Sequence, residues 1–402
     1  MLVATGARMS KKREPIETQL SSSVVFPSGI FALERDESWP YERFAYNVLD
    51  VGVHALHKMG LPESLTVDFA CAPLHSSAWA INSSVYVKKD GDGDPLSFCI
   101  STPELTPALF YLFANTVAQD FFKNEVFRTY MDKPNRLRES IQKFANGANA
   151  AIRAYRTNGL GAAIRAGYDY LGLAIMDVEK TFDTYDLLTK QIAYHEVAHA
   201  YAGHVLRHPV PNAVDSRAYE LIADLIGTVW FFEIMVYYTP DTPEYREFRG
   251  FSSYAECIFE NALMVYRAQQ ANLVLAALAG AQREGGRVSL EGGLSHPPGL
   301  QRYMLQHMTL SNLVMSNFKD KLTEPQQEAL EGDWRAKMEV LSQSGIMPSL
   351  DVFTGLDPRE CDAVERAAEL IESEKIPEVQ NITSFLRSMR DNLEKLTNSR
   401  GE

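Results

Sequence analysis

The strongest chemical signal in this sequence is the segment His195-Glu196-Val197-Ala198-His199. Residues four positions apart lie on one face of an α-helix, so the two imidazoles can bind the same metal ion. Glu196 directly follows the first histidine, and its carboxylate therefore projects beside the metal and not into its coordination shell. A carboxylate in that place is suited to act as the general base for a water molecule on the metal.

These residues need a helix to hold them, and apolar residues at helical spacing predict one over residues 187–206. Two prolines within residues 207–211 end it. A second helix is predicted to start near Arg217, with Asp215 or Ser216 as its cap. The two helices are therefore expected to face each other across a cleft.

The second helix carries two carboxylates, Glu220 and Asp224, that share one of its faces. Their neighbours are strongly apolar, so carboxylates there need a partner. Two histidines, one carboxylate and an open fourth position make a hydrolytic zinc site. We therefore predict Glu220 as the third zinc ligand and Asp224 as the acceptor for the spare N–H of a ligand histidine. The alternative is that both carboxylates only solvate a helix face.

A third segment, residues 295–302, contains Ser-His-Pro-Pro after a glycine-rich loop and before an amphipathic helix. His296 on such a loop can donate a hydrogen bond to the oxyanion of a tetrahedral intermediate. The alternative is an ordinary proline-started helix that His296 caps.

Together these segments resemble the gluzincin zinc peptidases, which include the CAAX prenyl proteases and the HtpX-type heat-shock proteases. The matching strings are His-Glu-Val-Ala-His-Ala-Tyr-Ala-Gly-His, then Glu-Leu-Ile-Ala-Asp, then Ser-His-Pro-Pro with Arg302 six residues after His296. The resemblance covers roughly residues 187–318. The roles that it implies are zinc ligation by His195, His199 and Glu220, general base for Glu196, support of a ligand for Asp224, and catalytic assistance for His296 and Arg302. His204 matches a histidine common in the family that has no assured role.

The resemblance also implies an edge strand beside the zinc, to which an extended substrate can add as another strand. Candidate strands are residues 78–82 and 84–87, followed by residues 96–100. Residues 90–94 are predicted to form a hairpin turn, because Pro95 and Ser101 stand where a calcium loop needs glycine and glutamate. The predicted fold is α+β and mostly helical, a zincin-like metallopeptidase core with a small antiparallel sheet and extra helices.

Membrane-bound members of the family have transmembrane helices around the motif. The most apolar stretches here, residues 225–232 and 273–281, are far shorter than the roughly 20 residues that a span needs. We therefore expect a soluble relative with no integral membrane segment. The phage-exclusion (Lit-type) peptidases are an open alternative.

Composition limits the class of protein further. A chain of 402 residues, 46% of them hydrophobic, can build a large core, and its net charge of −13 argues against nucleic acid as a partner. Its 4 cysteines show no pairing pattern, which suits a reducing cytoplasm. Residues 1–13 have no apolar stretch typical of a secretory signal, so a cytoplasmic protein is expected.

Four regions are predicted along the chain: a flexible N-terminus (1–20), a helical and strand region that completes the core (21–175), the zinc-binding catalytic core (176–320) and a C-terminal helical extension (321–402). Other predicted elements are a strand over 64–70, helices over 39–59, 102–131, 135–155, 252–283, 324–341, 358–373 and 381–396, and a glycine-containing connector that runs from Gly159 to the residues before Asp177. The extension covers the active site, binds a partner or extends the scaffold.

The predicted function is that of a zinc-dependent endopeptidase acting on a protein or peptide substrate, with one Zn²⁺ per chain. Two alternatives stay open: a regulated effector protease of stress or phage defence, and a catalytically silent metal-binding module. The sequence does not determine the substrate or the oligomeric state.

Overall fold

The computed structural model of the chain is mostly helical with one small sheet, as predicted. It describes residues 24–26, 33, 35–59, 66–72, 83–89, 95–173, 178–204, 212–241, 243–283, 299–318, 320–345, 358–384, 386–388 and 391. The strands are β1 (Val24–Val25), β2 (Thr66–Ala72), β3 (Ser84–Lys89) and β4 (Pro95–Pro103). The helices are α1 (Arg35–Met59), α2 (Thr106–Phe113), α3 (Gln119–Phe122), α4 (Asn124–Asp132), α5 (Pro134–Leu171), α6 (Val178–Tyr201), α7 (Ala213–Glu233), α8 (Thr239–Asp241), α9 (Pro243–Arg249), α10 (Tyr254–Arg283), α11 (Gly299–Phe318), α12 (Glu324–Gln343) and α13 (Pro358–Glu374).

The sheet has the strand order β1-β2-β4-β3 and mixes two directions. β3 and β4 pair antiparallel, with Val85 opposite Ile100. β2 pairs parallel with β4, with Phe69 opposite Ile100, and β1 pairs parallel with β2. The prediction of an antiparallel sheet is therefore wrong for these parallel pairs. Alternation along single strands predicts a local hairpin, but it does not reveal that β4 inserts between β2 and β3. The candidate strand at 78–82 and the turn at 90–94 lie outside the described residues.

The centre of the molecule is α7, in which every residue from 221 to 232 is buried. Three helices pack around it: α6, α11 and α13. A helix enclosed in this way is expected to be apolar on all sides, and residues 225–232 of α7 carry no charged side chain. The buried apolar side chains form one continuous cluster that runs from Trp39 to Leu386. Within the described part of the chain, no helix combines the length and apolar character needed to cross a bilayer.

The ends of α6 and α7 differ from the prediction. α6 ends at Tyr201, several residues before the predicted end, and Gly203 follows with a φ of +69°. Glycine adopts this left-handed conformation without a steric penalty and commonly terminates helices. α7 begins at Ala213, a turn earlier than predicted, because Asn212 is its cap and accepts a hydrogen bond from the Asp215 amide at 2.8 Å.

Two further helix predictions need correction. The predicted helix over 102–131 is wrong at its start, since β4 continues to Pro103, and it is divided by a π-helical turn at Ala114–Ala118 and by extended backbone at Lys123. The predicted connector is wrong over most of its length, because α5 continues to Leu171 after one non-helical residue, Gly159. Single-residue breaks of this kind depend on packing, which glycine spacing does not report.

The C-terminal part packs onto α7 through α13 and a 3₁₀ turn at Pro377–Ile382. Arg366 of α13 binds Asp215 at 2.6 Å, and the Tyr201 hydroxyl donates to the Glu378 carboxylate at 2.8 and 2.9 Å. These contacts tie the segment to α6 and α7, and the role of the extension stays a prediction.

Candidate metal centre

α6 and α7 approach each other very closely at the site, and Gly227 makes this possible. A Cβ atom at Gly227 would lie 3.0 Å from the backbone nitrogen of His195 and 3.1 Å from its Cα. Real Cβ atoms rarely come so close to backbone, so a larger residue would push the helices apart. The role of Gly227 was not predicted from the sequence; an isolated glycine within an apolar helix is the signal that could have indicated it.

Three side-chain groups converge between the two helices. The Nε2 atoms of His195 and His199 are 3.2 Å apart. Each lies 3.5 Å from one oxygen of the Glu220 carboxylate, Oε2 for His195 and Oε1 for His199. The structure thus brings the three predicted ligands together, and within the described chain they form a group that could hold a metal ion.

The size of this triangle fits a small tetrahedral cation. Bonds of about 2.0–2.1 Å at tetrahedral angles place ligand atoms about 3.3–3.4 Å apart, which is close to the distance between the two Nε2 atoms and to the distance from each Nε2 to a Glu220 oxygen, a different oxygen for each histidine. The side chains of His195, His199 and Glu220 stay 17%, 12% and 15% exposed, so none of the three is fully shielded from solvent. A closed structural site would bury its ligands fully.

Asp224 lies behind His195, as predicted. Its Oδ1 is 2.9 Å from His195 Nδ1, and its side chain is only 3% exposed. Burial would raise the pKa of Asp224, but Arg302 and His195 outweigh burial and hold that pKa at about 2. Burial would likewise lower the pKa of His195, but the charge and hydrogen bond of Asp224, with help from Glu220, raise it to about 10. An ionised carboxylate at this distance favours a proton on Nδ1, and Nε2 faces the other two groups of the triangle.

Arg302 comes from the first turn of α11 and binds the carboxylates of α7. Its Nε is 2.5 Å from Asp224 Oδ2, and one of its terminal nitrogens is 2.8 Å from Asp224 Oδ1. The same nitrogen is 3.5 Å from Glu220 Oε2. Burial opposes the charge of Arg302, yet Asp224 and Glu220 raise its pKa above the usual value. The guanidinium therefore supports the acidic side of the site and balances its charge.

Glu196 lies on α6 between the two ligand histidines and is only 6% exposed. Burial raises the pKa of Glu196 to about 7, although the positive charge of His195 opposes the shift. A carboxylate with a pKa near neutrality can both take up and release a proton at physiological pH.

His199 has a different environment from His195. Burial lowers the pKa of His199 to about 4, with Glu220 opposing the shift. Its Nδ1 lies 3.0 Å from Nδ1 of His204, whose ring stacks on Tyr219 at a centroid distance of 4.2 Å. The sequence did not assign these contacts, although a histidine five residues after His199, with a glycine between them, was visible as a signal.

The remaining predicted features are placed as follows. His296 lies outside the described residues, so its role stays a prediction. Among the described strands, β3 stands at one end of the strand order and packs against α6, and its role as an edge for the substrate stays a prediction. Comparison of the chain with models of protein families, with curated proteins and with solved structures finds no match.

Proposed function

We propose that this protein is a zinc-dependent endopeptidase with a zincin-like core. The observation that carries the proposal is the triangle of His195, His199 and Glu220, whose separations of 3.2–3.5 Å are close to those of a tetrahedral zinc site and whose side chains keep partial exposure to solvent. Glu196, which follows His195 on α6, is buried and interacts electrostatically with His195 and Glu220, which supports it as the proton acceptor of the proposed hydrolysis.

The donor set supports zinc as the metal. Two imidazole nitrogens and one carboxylate suit Zn²⁺, whereas Mg²⁺ and Ca²⁺ prefer shells made only of oxygen atoms. When bound, the zinc would polarise the carbonyl of the scissile bond and lower the pKa of a water molecule beside it.

Glu196 would take the proton of the attacking water and pass it to the leaving amine. Asp224, held by Arg302, orients His195 and keeps its proton on Nδ1. β3 offers an edge along which an extended peptide could align beside α6. His296 is proposed to stabilise the oxyanion.

The test separates metal binding from hydrolysis. Purified full-length protein, stripped with a chelator and reloaded, should bind one Zn²⁺ per chain and cleave members of a peptide library. The Glu196→Gln variant should keep the zinc and lose cleavage. Glu328→Gln, the same change at an exposed position of α12, is the matched control and should behave as wild type.

Each outcome decides between functions. Wild-type turnover in Glu196→Gln would end the mechanism. Zinc uptake by a wild-type protein that cleaves no library peptide, even after its termini are trimmed by limited proteolysis, would favour the silent metal-binding module. A search for new protein N-termini in cells that express wild type or Glu196→Gln would identify the substrate and test the effector alternative.

A further inference from the structure

The two ligand histidines are supported in different ways. Both direct Nε2 into the triangle, so both direct Nδ1 away from it. Nδ1 of His195 faces the carboxylate of Asp224 at 2.9 Å, and that carboxylate is in turn bound by Arg302. Nδ1 of His199 faces Nδ1 of His204 at 3.0 Å. One ligand thus has a charged partner and the other a second imidazole.

His204 reaches this position because α6 does not continue. In an unbroken helix, residues five apart are about 140° apart around the axis, and the rings of residues 199 and 204 would point in different directions. Gly203 adopts a φ of +69° and changes the direction of the chain after Tyr201. As a result, the ring of His204 lies next to the ring of His199.

His204 is also held from the opposite helix. Its ring lies nearly parallel to that of Tyr219, at 22° and a centroid distance of 4.2 Å, and the residue is only 3% exposed. Tyr219 immediately precedes Glu220, the predicted third ligand. The stack therefore couples the partner of His199 on one side of the site to the helical turn that carries Glu220 on the other.

We propose that His204 is a positioning residue that holds His199 ready to bind the metal, an inference that rests on the proposed zinc site. A neutral imidazole that offers the Nε2 lone pair to a metal carries its proton on Nδ1. That N–H must donate, and Nδ1 of His204 accepts it, with the proton of His204 on Nε2. A supporting hydrogen bond of this kind fixes the tautomer and orientation of the ligand ring.

Two variants of nearly equal shape test the hydrogen bond. His204→Asn keeps an acceptor close to the place of the original Nδ1, whereas His204→Leu has the same branching without an acceptor. Zinc affinity of the full-length proteins is measured by competition with a chromophoric chelator. We expect His204→Leu to bind zinc about 10- to 100-fold more weakly than wild type, and His204→Asn to recover most of the loss.

A matched control and a spectroscopic readout exclude a general packing effect. His307→Leu removes another buried histidine, on α11, that stacks on Trp334, and it should leave the zinc affinity unchanged. Co²⁺ in place of Zn²⁺ should give a visible spectrum that changes in His204→Leu and not in His307→Leu. Melting of the metal-free proteins shows whether each variant is folded.

The outcomes separate this inference from the proposed function. Equal zinc affinity in wild type and His204→Leu, or equal weakening in the Asn and Leu variants, overturns the role of His204 and leaves the zinc site intact. A wild-type protein that takes up no zinc overturns the proposed function itself.

Discussion

Two buried clusters of ionisable residues in this protein make opposite use of histidine. In the candidate metal centre, the nitrogens of His195 and His199 converge on Glu220. In the second cluster, formed by residues of α10, α11 and α12 and called the α11–α12 cluster here, His307 lies flat against Trp334 at 4.0 Å and 6°. One of its nitrogens is 3.3 Å from the Ser311 hydroxyl, and burial lowers its pKa to about 3.

The charged residues of the α11–α12 cluster also differ from those of the candidate metal centre. Lys337 and Arg267 both bind the single carboxylate of Asp333, at 2.5 and 3.4 Å. Two positive groups thus face one negative group in this cluster. Its described residues include no set of side chains placed to bind one metal ion. The comparison teaches that burial of ionisable side chains does not by itself make a site. A cation needs electron-pair donors that converge, with negative charge beside them, and in the described chain the candidate metal centre is the only group found to combine these features.

Loss of a ligand should have the largest effect. Glu220→Gln removes the negative charge from the triangle, so zinc affinity should fall by more than about 100-fold, which exceeds the loss expected from removing a partner of a ligand. Chelator competition measures the fall, with Glu328→Gln as the control. Unchanged zinc affinity in Glu220→Gln would contradict the conclusion that the negative charge of Glu220 distinguishes the candidate metal centre from the α11–α12 cluster.

The second prediction concerns the close approach of the helices. Gly227→Ala places a Cβ about 3 Å from the His195 backbone, so α6 and α7 must separate. We expect a loss of about 1–3 kcal/mol in the free energy of unfolding, measured with urea, and weaker zinc binding.

Gly332→Ala on α12 is the matched control for Gly227→Ala, because a Cβ at this exposed helical glycine meets no atom within 4 Å. It should stabilise the protein by about 0.5–1 kcal/mol. The same direction of change in both variants would contradict the role assigned to Gly227.

The third prediction uses pH to test the α11–α12 cluster. The unfolded chain protonates His307 below about pH 6.5, but the folded protein does so only near its lowered pKa of about 3. The stability contributed by neutral His307 is therefore complete above pH 6.5 and is lost as the pH falls toward 3. His307→Phe removes this dependence.

Urea unfolding at pH 7 and pH 5, with chelator present, should show that wild type loses about 2 kcal/mol more than His307→Phe between the two values. The difference between the two proteins cancels the contribution of the shared carboxylates. Parallel losses in both proteins would show that His307 is not buried in its neutral form.

The smallest effect is expected at Lys337, which is only 1% exposed. Burial lowers the pKa of Lys337 to about 8, with Asp333 opposing the shift. Lys337→Met leaves Arg267 to neutralise Asp333, so the free energy of unfolding at pH 7 should stay within about 1 kcal/mol of wild type. Lys143→Met at an exposed position of α5 is the control. A loss near 3 kcal/mol would mean that Lys337 is an essential partner of Asp333.

The sequence predicted those parts of the molecule that depend on local periodicity. The helix that carries His195 and His199, the helix that carries Glu220 and Asp224, and the long helix of α10 all follow from spacing along the chain. The strand pairing did not follow, because β4 lies between β2 and β3 and no local pattern records this insertion. The end of α6 did not follow either, since apolar residues beyond Tyr201 continue the helical spacing past Gly203.

The sequence by itself determined which residues can form the ligand triangle, because helical geometry places residues four apart on one face. Only the tertiary structure decided that the ligand atoms of the two faces approach to 3.5 Å, through the absence of a side chain at Gly227. It also decided the partners of the ligands, Asp224 with Arg302 for His195 and His204 with Tyr219 for His199. These contacts join separate helices, and their geometry arises from packing, which the spacing of residues along one helix does not encode.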